Sequence, residues 1–423
     1  MQQFQGLIGI VTLMGIAWLL SENRRRIDWR PVLMGLGLQV AFAALILRTS
    51  WGAPFFNACG DVINTLLGFC DRGTDFLFKH VSQLNNRNQL DGPLVNLAFR
   101  VLPSIIFFSA ILAVLYHLGV MQFVVRIIAW VMIKTMKTSG AETLSVAANI
   151  FVGQTEAPLL VQPFLARMTR SEILTIMLAG FATIAGGVMA LYVGMLRPVL
   201  GPEIAGHLMA SSVMGAPASI LFAKILLPET ETPTTLGDVN IPLPRTSSNV
   251  IEAFSEGANE GLKLTLSVCG LLIAFVAAME MINAFLGWGP SIPLIGVRIP
   301  PTSMQEVFGW VFRPIAWTLG TSWEESKVVG SLLGEKIVLT ELIAYTDLAR
   351  PEIASQLSPR SAKITAYALC GFANFASIGI QVGGIGAIAP ERKATISQLA
   401  MKAMIGGALA SAMTGAIAGI MIR

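Results

Sequence analysis

The sequence predicts an all-α polytopic membrane protein with about eight transmembrane helices, two opposed re-entrant hairpins and interfacial amphipathic helices. Charged residues make up only 13% of the 423 residues, against roughly 25% in a soluble domain. Hydrophobic residues reach 54%, so a soluble fold would have too few polar side chains to cover its surface. This composition excludes a disordered chain, and four cysteines are too few for a disulfide scaffold. A net charge of +4 is too small to indicate a nucleic-acid partner.

Eight apolar stretches support the span count, because about 20 residues of helix cross a bilayer. These stretches are residues 4–20, 31–48, 94–119, 172–196, 208–227, 261–286, 362–388 and 395–421. The first contains no cleavable small-residue site, so we interpret it as a retained span rather than a signal peptide.

Basic loops orient these spans. The run Arg24–Arg26 follows the first span, and short basic loops stay in the cytoplasm. We therefore expect a protein of the inner membrane whose N-terminus is extracytoplasmic. The later loops should then alternate between the two sides of the membrane. Under this assignment Arg350, Arg360 and Lys363 would lie outside, against the positive-inside trend.

Two apolar segments are unsuited to crossing the bilayer. Residues 121–137 place Arg126 and Lys134 among large apolar side chains, and residues 304–320 place Arg313 in the same way. Such a mixture is typical of amphipathic helices that lie at the membrane interface. Packing of either helix against another span is the alternative.

The polar stretch 228–250 divides the chain. It separates a first half, residues 94–227, from a second half, residues 251–423. We expect this loop to be cytoplasmic, and residues 1–93 to form an N-terminal scaffold of spans with an interfacial segment.

Each half contains an apolar stretch with a polar cluster at its centre, residues 142–168 and residues 326–349. A straight span would place a carboxylate at mid-bilayer, which costs about 2.5–3.5 kcal/mol on insertion scales. A re-entrant hairpin avoids that cost, because its polar tip can face a cavity. By the span count the two hairpins enter from opposite sides. Such an inverted repeat is typical of secondary transporters.

A weak internal repeat supports the two hairpins. The first contains QTEAPLL at residues 154–160, followed by Gly-Phe-Ala at residues 180–182. The second contains TELIAY at residues 340–345, followed by Gly-Phe-Ala at residues 371–373. We expect each Gly-Phe-Ala to lie on a helix that follows its hairpin. Two satisfied polar pairs that bridge helices would be the alternative reading.

At these residues the sequence resembles the concentrative nucleoside transporters, from about residue 94 to the end. The most specific pieces are GQTEAPLL at residues 153–160, the Thr-Glu pair at residues 340–341 and GFANF at residues 371–375. The resemblance implies inward nucleoside uptake coupled to Na⁺, or to H⁺ in some members. It also implies eight spans, the two opposed hairpins and a homotrimer in the lipid bilayer.

The resemblance also implies which residues bind substrate and ion. The base would contact the first hairpin tip and one valine behind it: Gln154, Thr155, Glu156 and Val188. The ribose would contact the second tip and the helix after it: Glu341, Phe372, Asn374 and Ser377. Na⁺ would be held by two side chains, Asn149 and Thr183, and by two backbone oxygens, those of Val152 and Ile184.

The residue types suit that chemistry independently. Glutamine and threonine side chains offer donors and acceptors to a base edge, and a carboxylate can accept from two vicinal ribose hydroxyls. Oxygen ligands without a carboxylate suit Na⁺, the coupling ion we favour. Glu156 or Glu341 could instead carry a proton, since burial raises a carboxyl pKa, so H⁺ coupling stays open.

Other functions are less well supported. Neither tip carries an arginine for a carboxylate substrate, although a transporter for another small polar solute stays open. The sequence shows neither a nucleophile–base pair nor a metal-ligand set to act with the two carboxylates, so we predict no enzyme activity and no cofactor. A channel is disfavoured, because two opposed hairpins indicate alternating gates. Uptake of a uridine-like nucleoside is therefore the prediction.

Overall fold

The computed structural model describes residues 2–49, 52–82, 102–237, 247–287, 291–292, 297–298 and 302–422. Its helices, in chain order, are α1 (Gln2–Leu19), α2 (Trp29–Arg48), α3 (Gly52–Ser82), α4 (Ser104–His117), α5 (Val120–Met136), α6 (Gly140–Ala148), α7 (Glu156–Leu159), α8 (Gln162–Leu165), α9 (Arg170–Ala182), α10 (Gly186–Leu200), α11 (Ile204–Leu226), α12 (Val250–Gly287), α13 (Met304–Thr318), α14 (Ser326–Val338), α15 (Glu341–Leu348), α16 (Pro351–Ala354), α17 (Pro359–Leu369), α18 (Phe375–Ile388) and α19 (Lys393–Met421). Two short strands, β1 (Ser291–Ile292) and β2 (Val297–Arg298), pair antiparallel and were not expected from the sequence.

Within the described residues, five segments are long and apolar enough to cross a membrane. They are Trp29–Arg48, Arg170–Leu200, Ile204–Leu226, Val250–Gly287 and Pro390–Met421. Each coincides with a predicted span, and together they confirm the all-α polytopic class. The first predicted span is the 18-residue helix α1.

The predicted span 94–119 is described only in part, since residues 94–101 lie outside the described residues. Its remainder is α4, which meets α5 at an angle of 77°. The bend falls at Gly119, whose φ of +82° favours glycine. Helix α5 covers the predicted interfacial segment, with Phe123 and Trp130 exposed and Val125 and Met132 buried.

The second predicted interfacial segment is α13, and it packs on the first arm of the second hairpin. A Cβ at Gly330 in α14 would lie 2.9 Å from the Gly309 carbonyl oxygen, so the two helix backbones nearly touch. Trp310 is exposed, although its ring also lies 5.6 Å from Lys327 Nζ of α14. The helix thus combines both expectations, since it packs against a neighbour and still presents an exposed apolar side chain.

Both predicted hairpin segments are interrupted helices. In the first, α6 is followed by non-helical residues 149–155 and then by two short turns, α7 and α8. In the second, α14 is followed by a break at residues 339–340 and then by the regular helix α15. The polar residues of each predicted tip lie at the break, or begin the helix that follows it.

The spans that follow the hairpins are also broken. Residues 183–185 separate α9 from α10, and residues 370–374 separate α17 from α18. The expectation that both Gly-Phe-Ala copies lie on helices was wrong for the second copy, which forms the break itself. Gly371 has a φ of +147°, and a Cβ there would lie 2.6 Å from the Phe181 carbonyl oxygen. The two breaks therefore meet where only a glycine fits.

Capping boxes fix the start of the first hairpin and of the span after it. The Ser139 side chain caps α6, and Glu142 accepts from the Ser139 N–H at 3.0 Å. Thr169 and Glu172 make the same reciprocal pair at the start of α9. Each box satisfies backbone donors that a buried helix start would otherwise leave unpaired.

A single carboxylate serves the base of the second hairpin. Glu325 accepts from the Ser358 N–H at 2.5 Å and from the Ser361 hydroxyl at 2.7 Å, and pairs reciprocally with Ser322. Burial raises the pKa of the Glu325 carboxyl, but these hydrogen bonds outweigh burial and hold that pKa at about 2. The carboxylate therefore ties α14 to the start of α17.

Ion pairs group the predicted cytoplasmic loops at one end of the molecule. Glu22 lies 2.5 Å from Lys402 and 3.6 Å from Arg170. Lys224 pairs with Glu142 at 2.8 Å, at the base of the first hairpin. The loops expected on one side of the membrane are thus neighbours.

The three basic residues that opposed the positive-inside trend each have a partner in the fold. Lys363 pairs with Glu203 at 2.8 Å, which lowers the pKa of the Glu203 carboxyl. Arg350 pairs with Asp347 at 3.1 Å. Arg360 donates to backbone carbonyls at the ends of neighbouring segments. Each of these three cations thus has a structural partner, and the conflict with the positive-inside trend stays.

Candidate functional site

A cavity of about 820 Å³ lies between the two hairpin tips. It is lined by elements of both halves, including α4 of the first half and α12 of the second. All eight residues predicted to bind substrate line it, namely Gln154, Thr155, Glu156, Val188, Glu341, Phe372, Asn374 and Ser377. The volume is in the range of small-molecule sites.

The second tip presents a carboxylate in a fixed position. Thr340 caps α15 through its side chain, and Glu341 is the first residue of that helix. The Tyr192 hydroxyl donates to Glu341 Oε1 and the Asn374 amide donates to Oε2, both at 2.7 Å. Only 5% of Glu341 is exposed. Each oxygen keeps a free lone pair for a further donor, as vicinal hydroxyls would supply.

The break between α17 and α18 orients the Asn374 side chain. Asn374 caps α18, and its Oδ1 accepts from the Ser377 N–H at 2.8 Å. Its amide nitrogen must then face Glu341, so the cap and the carboxylate contact determine the amide orientation together. Phe372 contributes a partly buried ring to the same wall.

Sequence reasoning missed two side chains behind this tip. Tyr192 is fully buried and its ring lies 4.5 Å from that of Tyr345. Lys336 in α14 is also buried, and donates to the Ala368 carbonyl at 2.9 Å and the Ser411 hydroxyl at 2.5 Å. Tyr192 lies 149 positions from Glu341, and the two acceptors of Lys336 lie 32 and 75 positions from it, so no local pattern indicated these contacts.

The first tip is more open. Gln154 is buried, but Glu156 is exposed to the cavity. A side chain at Gly153 would collide with the Glu156 carboxylate, which folds back over the tip. Val188 on α10 is 5% exposed and lines the adjacent wall.

The tip packs against α18 from the other half. A side chain at Gly384 would collide with Thr155, so this glycine permits close packing.

Two of the predicted ion ligands, Asn149 and Thr183, meet beside this tip. The Asn149 amide nitrogen donates to Thr183 Oγ1 at 3.0 Å, and the Thr183 hydroxyl lies 2.9 Å from the Asn149 carbonyl. Asn149 Oδ1 is buried and has no hydrogen-bond partner among the described residues. A buried acceptor of this kind is costly unless a hydrogen-bond donor or a cation satisfies it.

Ser212 on α11 adds a hydroxyl that sequence reasoning did not find. It lies 3.4 Å from the carbonyl oxygens of both Ile150 and Ile184. Ile184 is one predicted ligand, and Val152, the other backbone ligand, lines the cavity. Amide, hydroxyl and carbonyl oxygens without a carboxylate are a donor set that fits a monovalent hard cation.

Family comparisons match most of the chain. Residues 207–419 match the family described as Na⁺ dependent nucleoside transporter C-terminus, and residues 8–81 match its N-terminus. Residues 98–199 match a family described as nucleoside recognition. The matched regions contain every residue placed in the site above.

Curated relatives span the full chain. An uncharacterized transporter of Bacillus subtilis is 40% identical over 418 residues, covering 99% of both chains. The mouse sodium/nucleoside cotransporter 1 is 38% identical over 437 residues, covering 99% of this chain and 64% of the mouse protein. The chain therefore spans somewhat less than two thirds of that longer relative.

Solved structures agree in fold. CNTnw in an inward-facing substrate-bound state has a TM-score of 0.88 and 39% identity, covering 100% of this chain and 98% of the other. A CNTnw variant in an outward-facing state has the same TM-score, with 38% identity and the same coverage. The equal scores show a shared architecture without distinguishing the two states.

Proposed function

The chain belongs to the concentrative nucleoside transporter family, and we propose that it imports nucleosides across the inner membrane by symport with Na⁺. The observation that carries this proposal is the position of Glu341. Its carboxylate is held by Tyr192 and Asn374 at 2.7 Å each, facing a cavity that the other hairpin tip also lines.

The ribose is bound at the second tip. Glu341 accepts from the vicinal hydroxyls, and such charge-assisted hydrogen bonds are among the strong ones. Asn374 and Ser377 flank the same sugar, and the Phe372 ring supplies an apolar wall. A neutral substrate with two adjacent hydroxyls suits a site with one fixed acceptor group.

The base is bound at the first tip. Gln154 and Thr155 present hydrogen-bonding groups, Glu156 lies beside them, and Val188 packs against the ring. A bound nucleoside therefore contacts both halves of the chain, because its base lies at the first tip and its ribose at the second. Substrate binding thus couples the two tips.

Na⁺ is bound between the first tip and the broken span beside it. Its ligands are the Asn149 and Thr183 side chains with the Val152 and Ile184 carbonyls, and Ser212 is a further candidate. The unpartnered Asn149 Oδ1 supports this assignment, because a cation would satisfy it. Once the ion has ordered the first tip, the tip can bind the base.

Transport follows an alternating-access cycle in which the two interrupted helices are re-entrant hairpins of opposite orientation. The block that carries both tips moves relative to the scaffold, exposing the cavity to each side in turn. The N-terminus is extracytoplasmic. The protein is a homotrimer, and the exposed apolar face of α12, which includes Ile273 and Met281, is available for lipid or protomer contacts.

Uptake of labelled uridine into proteoliposomes tests substrate and coupling together. We expect accumulation driven by an inward Na⁺ gradient and little without it. Accumulation driven by a proton gradient alone would assign H⁺ as the coupling ion. Absence of uptake or binding for every nucleoside would overturn the proposal.

A matched pair of variants tests the ion site. Thr183→Val removes a hydroxyl that contacts both Asn149 and the Ala179 carbonyl. We expect the Na⁺ concentration for half-maximal uptake to rise about tenfold, as for loss of one ligand oxygen. Thr175→Val in the same helix removes a buried hydroxyl that bonds only the Ser171 carbonyl, and should leave the Na⁺ dependence unchanged. Equal shifts in both variants would contradict the assignment.

A further inference from the structure

A glutamine outside the cavity lining contacts the first hairpin tip. Gln381 lies on α18, one turn after Ser377, and is fully buried. Its amide nitrogen donates to the Met177 carbonyl at 3.0 Å and to Gln154 Oε1 at 3.1 Å. One side chain of the second half thus connects the first tip to α9.

The Met177 carbonyl determines the orientation of the Gln381 amide. A backbone carbonyl is only an acceptor, so the nitrogen of Gln381 must face it, and the reversed amide would place two oxygens together. The same nitrogen then faces Gln154, whose oxygen must be the atom that accepts. Gln154 is therefore left with its own amide nitrogen, carrying two N–H groups, toward the cavity.

Two features show that this arrangement is specific. Gln381 Oε1 is buried and has no hydrogen-bond partner within the described residues, so only the donor end of this amide makes hydrogen bonds there. A Cβ at Gly180 would lie 2.5 Å from Gln381 Nε2 and 2.9 Å from Gln154 Cβ. The glycine of the first Gly-Phe-Ala copy thus makes room for the pair of glutamines.

We propose that Gln381 is a positioning residue that fixes the Gln154 amide, so that the base site offers N–H donors and selects a nucleobase edge carrying a hydrogen-bond acceptor. This inference rests on the proposed function, because it assumes that Gln154 meets the base. Helix α18 then serves both parts of the substrate, through Asn374 and Ser377 for the ribose and through Gln381 for the base.

Uridine binding to the purified full-length protein, measured by titration calorimetry, tests the proposal. Gln381→Met keeps the side-chain length and removes the unpartnered oxygen, so the variant should fold. It allows Gln154 to rotate, and we expect the Kd for uridine to rise about tenfold, with the maximal uptake rate retained.

Gln39→Met is the matched control. Gln39 is also fully buried and donates to a backbone carbonyl (Met214 on α11, 3.2 Å), and its Oε1 has no partner among the described residues. Unlike Gln381, it makes no hydrogen bond to a hairpin tip within the described part of the chain. Its replacement should leave uridine binding unchanged.

A double-mutant cycle separates positioning from general structural damage. In a Gln154→Met background, Gln381→Met should cause no further loss, since Gln381 acts through the missing amide. Fully additive losses, or wild-type affinity in Gln381→Met, would overturn this inference while leaving the proposed function intact. A wild-type protein that binds no nucleoside would instead overturn the proposed function.

Discussion

The two hairpin tips carry similar sequences but differ in how firmly they hold their carboxylates. Glu341 at the second tip is buried and accepts from both Tyr192 and Asn374 at 2.7 Å. Glu156 at the first tip is exposed to the cavity, and within the described part of the chain no donor to it is found. The carboxylate of the second tip is thus held in place before a substrate arrives, whereas the carboxylate of the first tip is not.

The backbone differs in the same direction. The second tip begins the regular helix α15, capped by Thr340. The first tip leads into two four-residue turns, α7 and α8. A preorganised group loses little freedom on binding, whereas an open one must be ordered by its ligands. We infer that the ribose meets a fixed carboxylate, whereas Glu156 at the first tip is ordered only when ion and base bind.

Glu341→Gln should have the largest effect on the uridine Kd. It replaces the carboxylate that accepts from Tyr192, Asn374 and the ribose hydroxyls by a neutral amide. Loss of charge-assisted hydrogen bonds to two hydroxyls costs about 3 kcal/mol, or roughly a hundredfold in the uridine Kd. Calorimetry on the purified variant measures this, and uptake should fall with it. Glu335→Gln is the control, since Glu335 is buried on the same hairpin but does not line the cavity. Wild-type affinity in Glu341→Gln would remove the ribose role.

Glu156→Gln should have a smaller effect, because an exposed carboxylate is screened by water and its hydrogen bonds are weaker. We expect the Kd for uridine to rise about tenfold. The two variants should be measured side by side under identical Na⁺ concentrations. A loss as large as that of Glu341→Gln would break the comparison, since it would show that the first tip is as well organised as the second.

The sequence predicts only that part of the site whose residues lie close together along the chain. The Thr-Glu pairs and their apolar surroundings are local patterns, and they indicated both tips and the broken segments. The S/T-x-x-E pairs at Ser139, Thr169 and Ser322 were equally local, and would have marked where the hairpins and one span begin.

The partners that hold the tips are not local. Tyr192 meets Glu341 across 149 positions, and Gln381 meets Gln154 across 227. Nothing in the neighbourhood of either residue indicates such a contact, because it exists only once the broken helices cross. A single sequence therefore shows the groups that bind, but not those that orient them.

Tyr192→Phe should have the smallest effect and should make the second tip more like the first. It removes one of the two donors to Glu341 but keeps the carboxylate and the ring, so Glu341 gains freedom without losing its charge. We expect the Kd for uridine to rise about fivefold, within the range for one neutral donor, with a larger loss for substrates bearing both vicinal hydroxyls than for a 2′-deoxynucleoside. Tyr345→Phe is the control, because Tyr345 stacks on Tyr192 yet donates only to the Ala366 carbonyl. If both tyrosine variants behave alike, packing rather than preorganisation of the carboxylate explains the rigid tip.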